Sequence, residues 1–240
     1  MTSKRDPFDY HEECEWILFE NEKWLWPKRD TKLKAVNDWV GDLNSVIVIM
    51  MQHKREMRLA IQAGGACGIW PRALAKHFEL VYTYEPDKLN YWCLHMNCAK
   101  EPVKIRPVNA ALGEREGHVN VMLDKSEQGN VGAYYTMDAV PGIGSSVPRL
   151  LIDKEPLPFC DLICLDIEGR EVEALRGAHK TIERFKPFIM IEEKPLPQMG
   201  MGKHVNHSVG EATEWLEKVH KYKVVEKVHR DVILAPPESI

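Results

Sequence analysis

The chain has 240 residues, of which 44% are hydrophobic and 28% are charged, and its formal net charge is −4. This length allows one α/β domain with a short extension and excludes two full-sized domains. Acidic and basic residues are interleaved, so no basic surface is predicted that would hold a phosphate backbone, and nucleic acid is not expected as a partner.

The cysteines and apolar runs bear on the compartment of the protein. None of the six cysteines form a C-x-x-C pair, and most lie in or beside apolar segments, so we expect reduced thiols. The longest apolar run near the N-terminus, 46–51, is too short to span a membrane and too far from the start for a signal peptide. We therefore expect a cytoplasmic protein with no membrane partner.

Residues 1–57 are predicted to form an extension rich in aromatic side chains. Four of the seven tryptophans lie here: Trp16, Trp24, Trp26 and Trp39. The segments 16–19 and 23–27 are typical of a short strand pair that packs on the main domain. A structural extension is the simpler interpretation, and a lid over the main domain is the alternative.

Residues 58–240 are predicted to form the main domain, because short apolar runs alternate there with segments of helical period. The predicted strands are 59–63, 80–84, 103–108, 119–123, 162–165 and 188–191, and the predicted helices are 71–78, 91–98 and 171–185. A capping box at 208–211 predicts a further helix, and the segments 222–228 and 231–234 predict an edge hairpin. The glycines and prolines of 124–148 predict a long loop, where we place the mouth of the substrate site.

A glycine-rich turn follows the first predicted strand. Gly64, Gly65 and Gly68 would let a ligand approach the backbone without a Cβ in the way. Such a turn alone is often only a tight connection. Glu85 ends the second strand 21 residues after Gly64, the distance at which an acidic side chain accepts hydrogen bonds from ribose hydroxyls. Together the two features favour a cofactor that contains adenosine.

The spacing of the glycines distinguishes between such cofactors. A dinucleotide-binding turn requires G-x-G-x-x-G, whereas this turn has the shorter pattern G-G-x-x-G, which disfavours pyrophosphate binding. The chain also contains no G-x-x-x-x-G-K-S/T phosphate loop. S-adenosylmethionine has no phosphate, so the shorter turn suffices for it.

Four segments carry a more specific pattern. They are AIQAGGACG at 60–68, YEP at 84–86 with Asn97 eleven residues after the proline, DLICLDIEGRE at 161–171 with ALRGA at 174–178, and KPFIMIE at 186–192. With these motifs, residues 59–192 resemble the FkbM family of S-adenosylmethionine-dependent methyltransferases. The D-x-E-G-x-E segment with L-x-G-A is the most distinctive part of the resemblance.

The resemblance implies a class I methyltransferase fold, which is an α/β Rossmann-like domain. Its mostly parallel seven-stranded sheet has an antiparallel C-terminal strand and helices on both faces. The implied reaction is O-methylation, commonly of sugar or natural-product hydroxyls. By position, the resemblance assigns the methionine part of the cofactor to Gly64, Gly65 and Gly68, the ribose to Glu85, the adenine to Asn109 and Ala110, and the reaction site to Asp166 and Glu168.

A hydroxyl acceptor needs a general base, and open α/β sheets place their ligands at the carboxyl ends of the strands. The candidates there are Asp166, Glu168, Glu192 and Glu193, of which we choose Asp166 first. An aspartate before a helix also fits a simple capping role.

No metal site is predicted. His204 and His207 form an H-x-x-H pair without a third ligand, which is typical of exposed loop histidines. Asp166 and Glu168, two residues apart, share one face only if the strand continues through them.

Other functions remain open at this stage. The family usually has an acid where this sequence has Gln62, and a glutamine cannot offset the ammonium charge of the cofactor. A catalytically degenerate S-adenosylmethionine-binding module is therefore one alternative. An NAD-dependent oxidoreductase is disfavoured by the glycine spacing, and a nucleic-acid methyltransferase by the absence of a basic stripe and of an N/D-P-P-Y motif. The expected partner is a small-molecule or glycan hydroxyl acceptor.

Overall fold

The computed structural model describes residues 10–19, 21–32, 40–123, 128–143, 145–193 and 209–239. The strands are β1 (Cys14–Phe19), β2 (Glu22–Pro27), β3 (Leu59–Ala63), β4 (Leu80–Tyr84), β5 (Ile105–Val108), β6 (Ala111–Leu112), β7 (Gly117–Leu123), β8 (Tyr134–Asp138), β9 (Ser145–Leu150), β10 (Leu162–Leu165), β11 (Phe188–Glu192), β12 (Lys223–Val228) and β13 (Asp231–Ala235). The α-helices are α1 (Val40–Gln52), α2 (Ile69–Leu74), α3 (Lys88–Cys98), α4 (Glu171–Arg176), α5 (His179–Phe185) and α6 (Glu211–Trp215). In this part of the chain, no helix is long and apolar enough to cross a membrane.

The central sheet has seven strands in the order β12-β13-β11-β10-β3-β4-β5. β3 pairs in parallel with β10 on one side and with β4 on the other, and β5 and β11 continue the parallel sheet. β13 runs antiparallel to both of its neighbours, β11 and β12. The predicted class I architecture, with an antiparallel last strand and a C-terminal hairpin at the sheet edge, is confirmed.

Helices cover both faces of this sheet, so its central strands are buried on both sides. Side chains of β3 alternate accordingly: Ala60 packs in the cluster that contains α1, α2 and α3, whereas Leu59 and Ile61 pack in the cluster that contains α4, α5 and α6. Because both faces are occupied, the carboxyl edge of the sheet is the place where a ligand can reach the parallel strands.

The N-terminal segment forms the predicted strand pair. β1 and β2 are antiparallel, and Trp24 and Trp26 of β2 are buried in the core on the α3 side of the sheet. Trp39 lies outside the described residues. Helix α1 was not predicted from the sequence, although its apolar residues, Leu43 and Val46 among them, belong to the same core cluster.

The predicted long loop at 124–148 is wrong. This region contains β8 and β9, which pair antiparallel with β7 and, together with β6, form a separate four-stranded sheet in the order β6-β9-β7-β8. The glycines belong to turns, since Gly129 and Gly142 both have positive φ values. Pairing between distant strands, rather than local sequence, determines the structure here.

Two predicted helices also differ from the structure. The predicted helix 171–185 is broken into α4 and α5 near Gly177, where a Cβ would lie 2.0 Å from the carbonyl oxygen of Gly113. Helix α6 begins after Gly210, which has φ of 92°, so the capping box predicted at 208–211 is not its N-terminus. Ser208 itself lies outside the described residues. The remaining differences are shifts of bounds: α2 covers Ile69–Leu74 where 71–78 was predicted, α3 begins at Lys88 rather than at 91, and β5 begins at Ile105 rather than at 103.

We expect Asn97 to hold the N-terminal hairpin on the main domain. Its side chain accepts a hydrogen bond from the backbone N of Leu25 (2.7 Å) and donates to the carbonyls of Leu25 (2.9 Å) and Cys67 (2.8 Å). Asn97→Leu should lower the free energy of unfolding by about 2–4 kcal/mol, because buried backbone groups lose their partners. Urea unfolding measures this change, and a variant as stable as the parent would contradict the anchoring role.

Candidate functional site

A cleft of about 600 Å³ opens at the carboxyl edge of the central sheet. Five of the residues predicted from the sequence line it: Gly64, Glu85, Ala110, Asp166 and Glu168. They follow four different strands, β3, β4, β5 and β10, and the parallel arrangement brings their ends together.

The turn after β3 requires glycine for two reasons. Gly64 has φ of 83°, and a Cβ on it would lie 1.8 Å from the carbonyl oxygen of Asp166, so the turn can approach β10 only without a side chain. Gly65 and Gly68 instead face α3, where a Cβ would lie 2.8 Å and 3.3 Å from side-chain carbons of Leu94. These two glycines therefore allow the helix to pack closely on the turn.

Gln62 is buried beneath the turn and is not among the described residues that line the cleft. Its Nε2 donates to the carbonyl oxygens of Ala63 (3.1 Å) and Gly64 (3.0 Å), and its Oε1 accepts from the hydroxyl of Thr83. All of these partners belong to the protein. The side chain thus supports the backbone of the turn from below.

Replacing Gln62 with an acid should therefore destabilise the fold. In Gln62→Glu a carboxylate would face two carbonyl oxygens without a hydrogen to donate, in a site with no solvent exposure. We expect a loss of about 2–4 kcal/mol in the free energy of unfolding at pH 8. The loss should shrink at pH 5, where the carboxyl can remain protonated. Urea unfolding at both pH values checks this, and equal stability at pH 8 would be inconsistent with these contacts.

Glu85 lies at the floor of the cleft. Its Oε1 accepts a hydrogen bond from the backbone N of Asp87 and its Oε2 from that of Ala66, both at 2.8 Å. Burial, with a smaller contribution from the charge of Asp87, raises the pKa of Glu85 to about 8. Asn109 does not line the cleft; its amide donates to the carbonyls of Glu85 and Pro86 and so fixes the turn that carries the carboxylate.

The raised pKa of Glu85 predicts a pH dependence of stability. Between pH 5 and pH 8 the folded protein retains a proton on Glu85 that the unfolded chain releases, so the free energy of unfolding falls as pH rises. Glu85→Gln has no such proton to release. Between pH 5 and pH 8 its free energy of unfolding should therefore fall by about 2–3 kcal/mol less than that of the parent. Urea unfolding of both proteins at the two pH values gives the difference, and parallel pH profiles would show that the pKa is not raised.

The three predicted catalytic acids are close together. Asp166, Glu168 and Glu192 each offer a carboxylate oxygen, and these oxygens all lie within 4.8 Å of one another. The left-handed backbone of Glu168, with φ of 59°, turns the chain after β10, so Asp166 and Glu168 converge although the strand has ended. Oxygen ligands at this spacing suit a hard divalent cation, and the absence of a metal remains a prediction.

The other candidates lie elsewhere. Glu193 accepts a hydrogen bond from the backbone N of Thr213, at 3.2 Å, and is not in the cluster of three acids. His204 and His207 lie outside the described residues. The structure thus gives Glu193 a local contact at the start of α6 and does not address the two histidines.

Two residues that sequence reasoning did not single out fix the turn after β10. Glu171 is buried, and its Oε1 accepts from the backbone N of Ile167 (3.0 Å) and of Gly169 (3.3 Å). Burial raises the pKa of Glu171 to about 7. Arg170 donates to the carbonyl oxygen of Thr136 on β8 (3.0 Å), which joins the second sheet to this turn. The signal for Glu171 was present in the sequence as the last acid of D-x-E-G-x-E.

The second sheet forms one wall of the cleft, and the N-terminal segment contacts this wall. Four residues of the region that was predicted as a loop line it: Val131, Gly132, Tyr134 and Thr136. The backbone N atoms of Thr31 and Lys32 donate to the carbonyl oxygen of Gly129 at 3.0 and 3.1 Å. The guanidinium of Arg29 lies 4.8 Å from the centre of the Tyr134 ring. The extension therefore contacts this wall directly.

A second cavity of about 850 Å³ adjoins the cleft. It is lined by Asp42, Trp70, Asp166, Glu192, His229, Arg230 and Asp231. Asp166 lines both cavities, so this residue lies where they meet. Burial and the nearby charge of Glu192 raise the pKa of Asp231 to about 7.

Comparison with known proteins gives one family. A sequence model of the methyltransferase FkbM domain matches residues 71–224, which is more than half of the chain. No curated protein sequence matches the chain significantly.

Solved structures share the fold. Methyltransferase FkbM from Methylobacillus flagellatus KT is 19% identical, with a TM-score of 0.51 over 74% of this chain and 43% of that protein. A 16S rRNA methyltransferase from T. thermophilus, solved with AdoMet and guanosine, is 11% identical, with a TM-score of 0.50 over 93% of this chain and 50% of that protein. The chain spans about half the length of these two proteins, and at such identities the likeness shows the fold alone.

Proposed function

Because the chain belongs to the FkbM family of S-adenosylmethionine-dependent methyltransferases, we propose that it methylates a hydroxyl group of a sugar or another small molecule. The observation that carries this proposal is the position of Asp166, which lines both the cleft predicted to hold the cofactor and the adjoining cavity. A donor on one side and an acceptor on the other would meet at this carboxyl group.

The cleft fits the cofactor of the family in its chemistry. Three acids line it, Glu85, Asp166 and Glu168, and they suit the hydroxyl and ammonium donors of S-adenosylmethionine. Among the described lining residues Arg170 is the only basic one, and its guanidinium already contacts the carbonyl of Thr136 and the carboxylate of Glu173. The cleft therefore offers little to a pyrophosphate, which disfavours the NAD alternative.

The residues of the chain have distinct proposed roles. S-adenosylmethionine, when bound, would supply a methyl group attached to a positively charged sulfur. The acceptor oxygen would take the methyl group, and the sulfur would leave as part of S-adenosylhomocysteine. Glu85 holds the ribose hydroxyls, and the backbone of Gly64 leaves room for the ligand. Asp166 takes the proton of the acceptor hydroxyl, a role worth about 10²- to 10⁴-fold in rate. Glu192, which lines the adjoining cavity, accepts hydrogen bonds from further hydroxyls of the acceptor.

Binding of the cofactor is the first test. Titration calorimetry should show that the protein binds S-adenosylmethionine and not NAD, and that Glu85→Ala weakens binding about tenfold or more, since a carboxylate partner of the ribose is lost. Binding of NAD without S-adenosylmethionine would refute the proposal in favour of an oxidoreductase.

Transfer is the second test, with a panel of sugars and hydroxylated small molecules and a labelled methyl group. At saturating S-adenosylmethionine, Asp166→Asn should lower the transfer rate by about 10²- to 10⁴-fold. Glu193→Gln is the matched control, because Glu193 lies outside the cluster of acids, and its rate should equal that of the parent.

The two variants and the panel separate the remaining alternatives. An unchanged rate in Asp166→Asn would remove Asp166 as the base. Tight binding of S-adenosylmethionine with no transfer to any member of the panel would favour the degenerate binding module that Gln62 suggests.

A further inference from the structure

A buried side chain that the proposed reaction does not use lies in the wall of the cleft. Asn90 is in the first turn of α3, is 1% exposed and lines the cleft beside Glu85. Its Nδ2 donates to the carbonyl oxygen of Val131, at 2.8 Å. Its Oδ1 is buried and has no hydrogen-bond partner among the described residues.

The contact with Val131 fixes the orientation of this amide. If oxygen and nitrogen were exchanged, Oδ1 would face the carbonyl oxygen of Val131, and two acceptors would oppose each other. Oδ1 of Asn90 must therefore point away from Val131. Buried polar atoms in folded proteins are almost always paired, so an acceptor held in this way calls for a donor that the described residues do not supply.

The position of α3 indicates which donor this is. Asp87 caps the helix by accepting from the backbone N atoms of Leu89 and Asn90, and its own backbone N donates to Oε1 of Glu85. The first turn of α3 is thereby fixed next to the carboxylate predicted to hold the ribose. One turn further along the same face, Leu94 lies against Gly65 of the glycine turn.

We propose that Oδ1 of Asn90 accepts a hydrogen bond from a ribose hydroxyl of the bound cofactor. This inference rests on the proposed function, because it takes the cleft as the cofactor site. Each oxygen of Glu85 already accepts one backbone N–H, so a second acceptor nearby lets both neighbouring hydroxyls of the ribose be paired. Asn90 is then a residue that distinguishes ribose from deoxyribose.

The experiment measures binding of S-adenosylhomocysteine and of its 2′-deoxy and 3′-deoxy analogues by calorimetry. The parent protein should bind one deoxy analogue about 5- to 10-fold more weakly than the ribose compound. Asn90→Leu should bind the ribose compound more weakly by a similar factor and should no longer distinguish it from that analogue. Asn90→Ala removes the same acceptor with a smaller side chain and should lose the discrimination in the same way, which covers the case that the leucine variant does not fold.

Asn97→Leu is the matched control, since Asn97 lies on the same helix and its amide is fully paired within the protein. It should lower stability and leave the discrimination unchanged. Unchanged discrimination between ribose and deoxyribose in Asn90→Leu would overturn the proposal. The proposal would also fail if Asn90→Leu lost discrimination only against an analogue that has oxygen in place of the 6-amino group of adenine, because that result would indicate a contact with the adenine.

The parent protein separates this proposal from the function on which it rests. If it does not bind S-adenosylhomocysteine, the cofactor site is wrong and the role of Asn90 falls with it. If it binds, and Glu85→Ala weakens binding while Asn90→Leu discriminates as the parent does, the cofactor site stands and only the role of Asn90 is wrong.

Discussion

The close approach of Gly64 to the carbonyl of Asp166 is the contact on which the site depends. β10 is paired with β3 along its whole length, and both strands end at the same level, so the turns that follow them lie side by side. Any side chain on Gly64 would collide with the backbone of Asp166. This one contact therefore places the glycine turn and the proposed base Asp166 at a fixed separation. Under the proposed function, the cofactor lies against the glycine turn while the acceptor reaches Asp166.

Buried polar side chains extend this arrangement outward from the two turns. Glu85 holds the glycine turn through Ala66 and the start of α3 through Asp87, while Glu171 holds the turn that carries Asp166. Each of these carboxylates is bonded mainly to backbone N–H groups rather than to basic side chains. Burial therefore dominates, and the pKa of Glu85 and of Glu171 is raised, to about 8 and about 7 respectively. A ligand with hydroxyl groups would find the carboxyl group of Glu85, which lines the cleft, already oriented.

The sequence predicted those parts of the fold and site that depend on local spacing. β3, β4 and β10 are apolar runs that end at chemically distinctive residues, and Gly64, Glu85 and Asp166 follow from where these runs end. Regions set by contacts between distant segments were not predicted. β8 and β9 form because they pair with β7, and the amide of Asn90 is oriented by its contact with the carbonyl of Val131, 41 residues away. Neither contact leaves a period or a motif in the sequence.

The glutamine at position 62 shows how the location of a residue changes what a substitution means. Considered as a missing acid, Gln62 implies weaker attraction for the cationic cofactor. In the structure it lies under the turn and donates to two carbonyl oxygens, which an ionised acid could not do. The acids Asp166 and Glu168, which line the cleft, follow β10 instead. Under the proposed function, support of the turn and complementarity to a cation are thus separate tasks, carried by different strands.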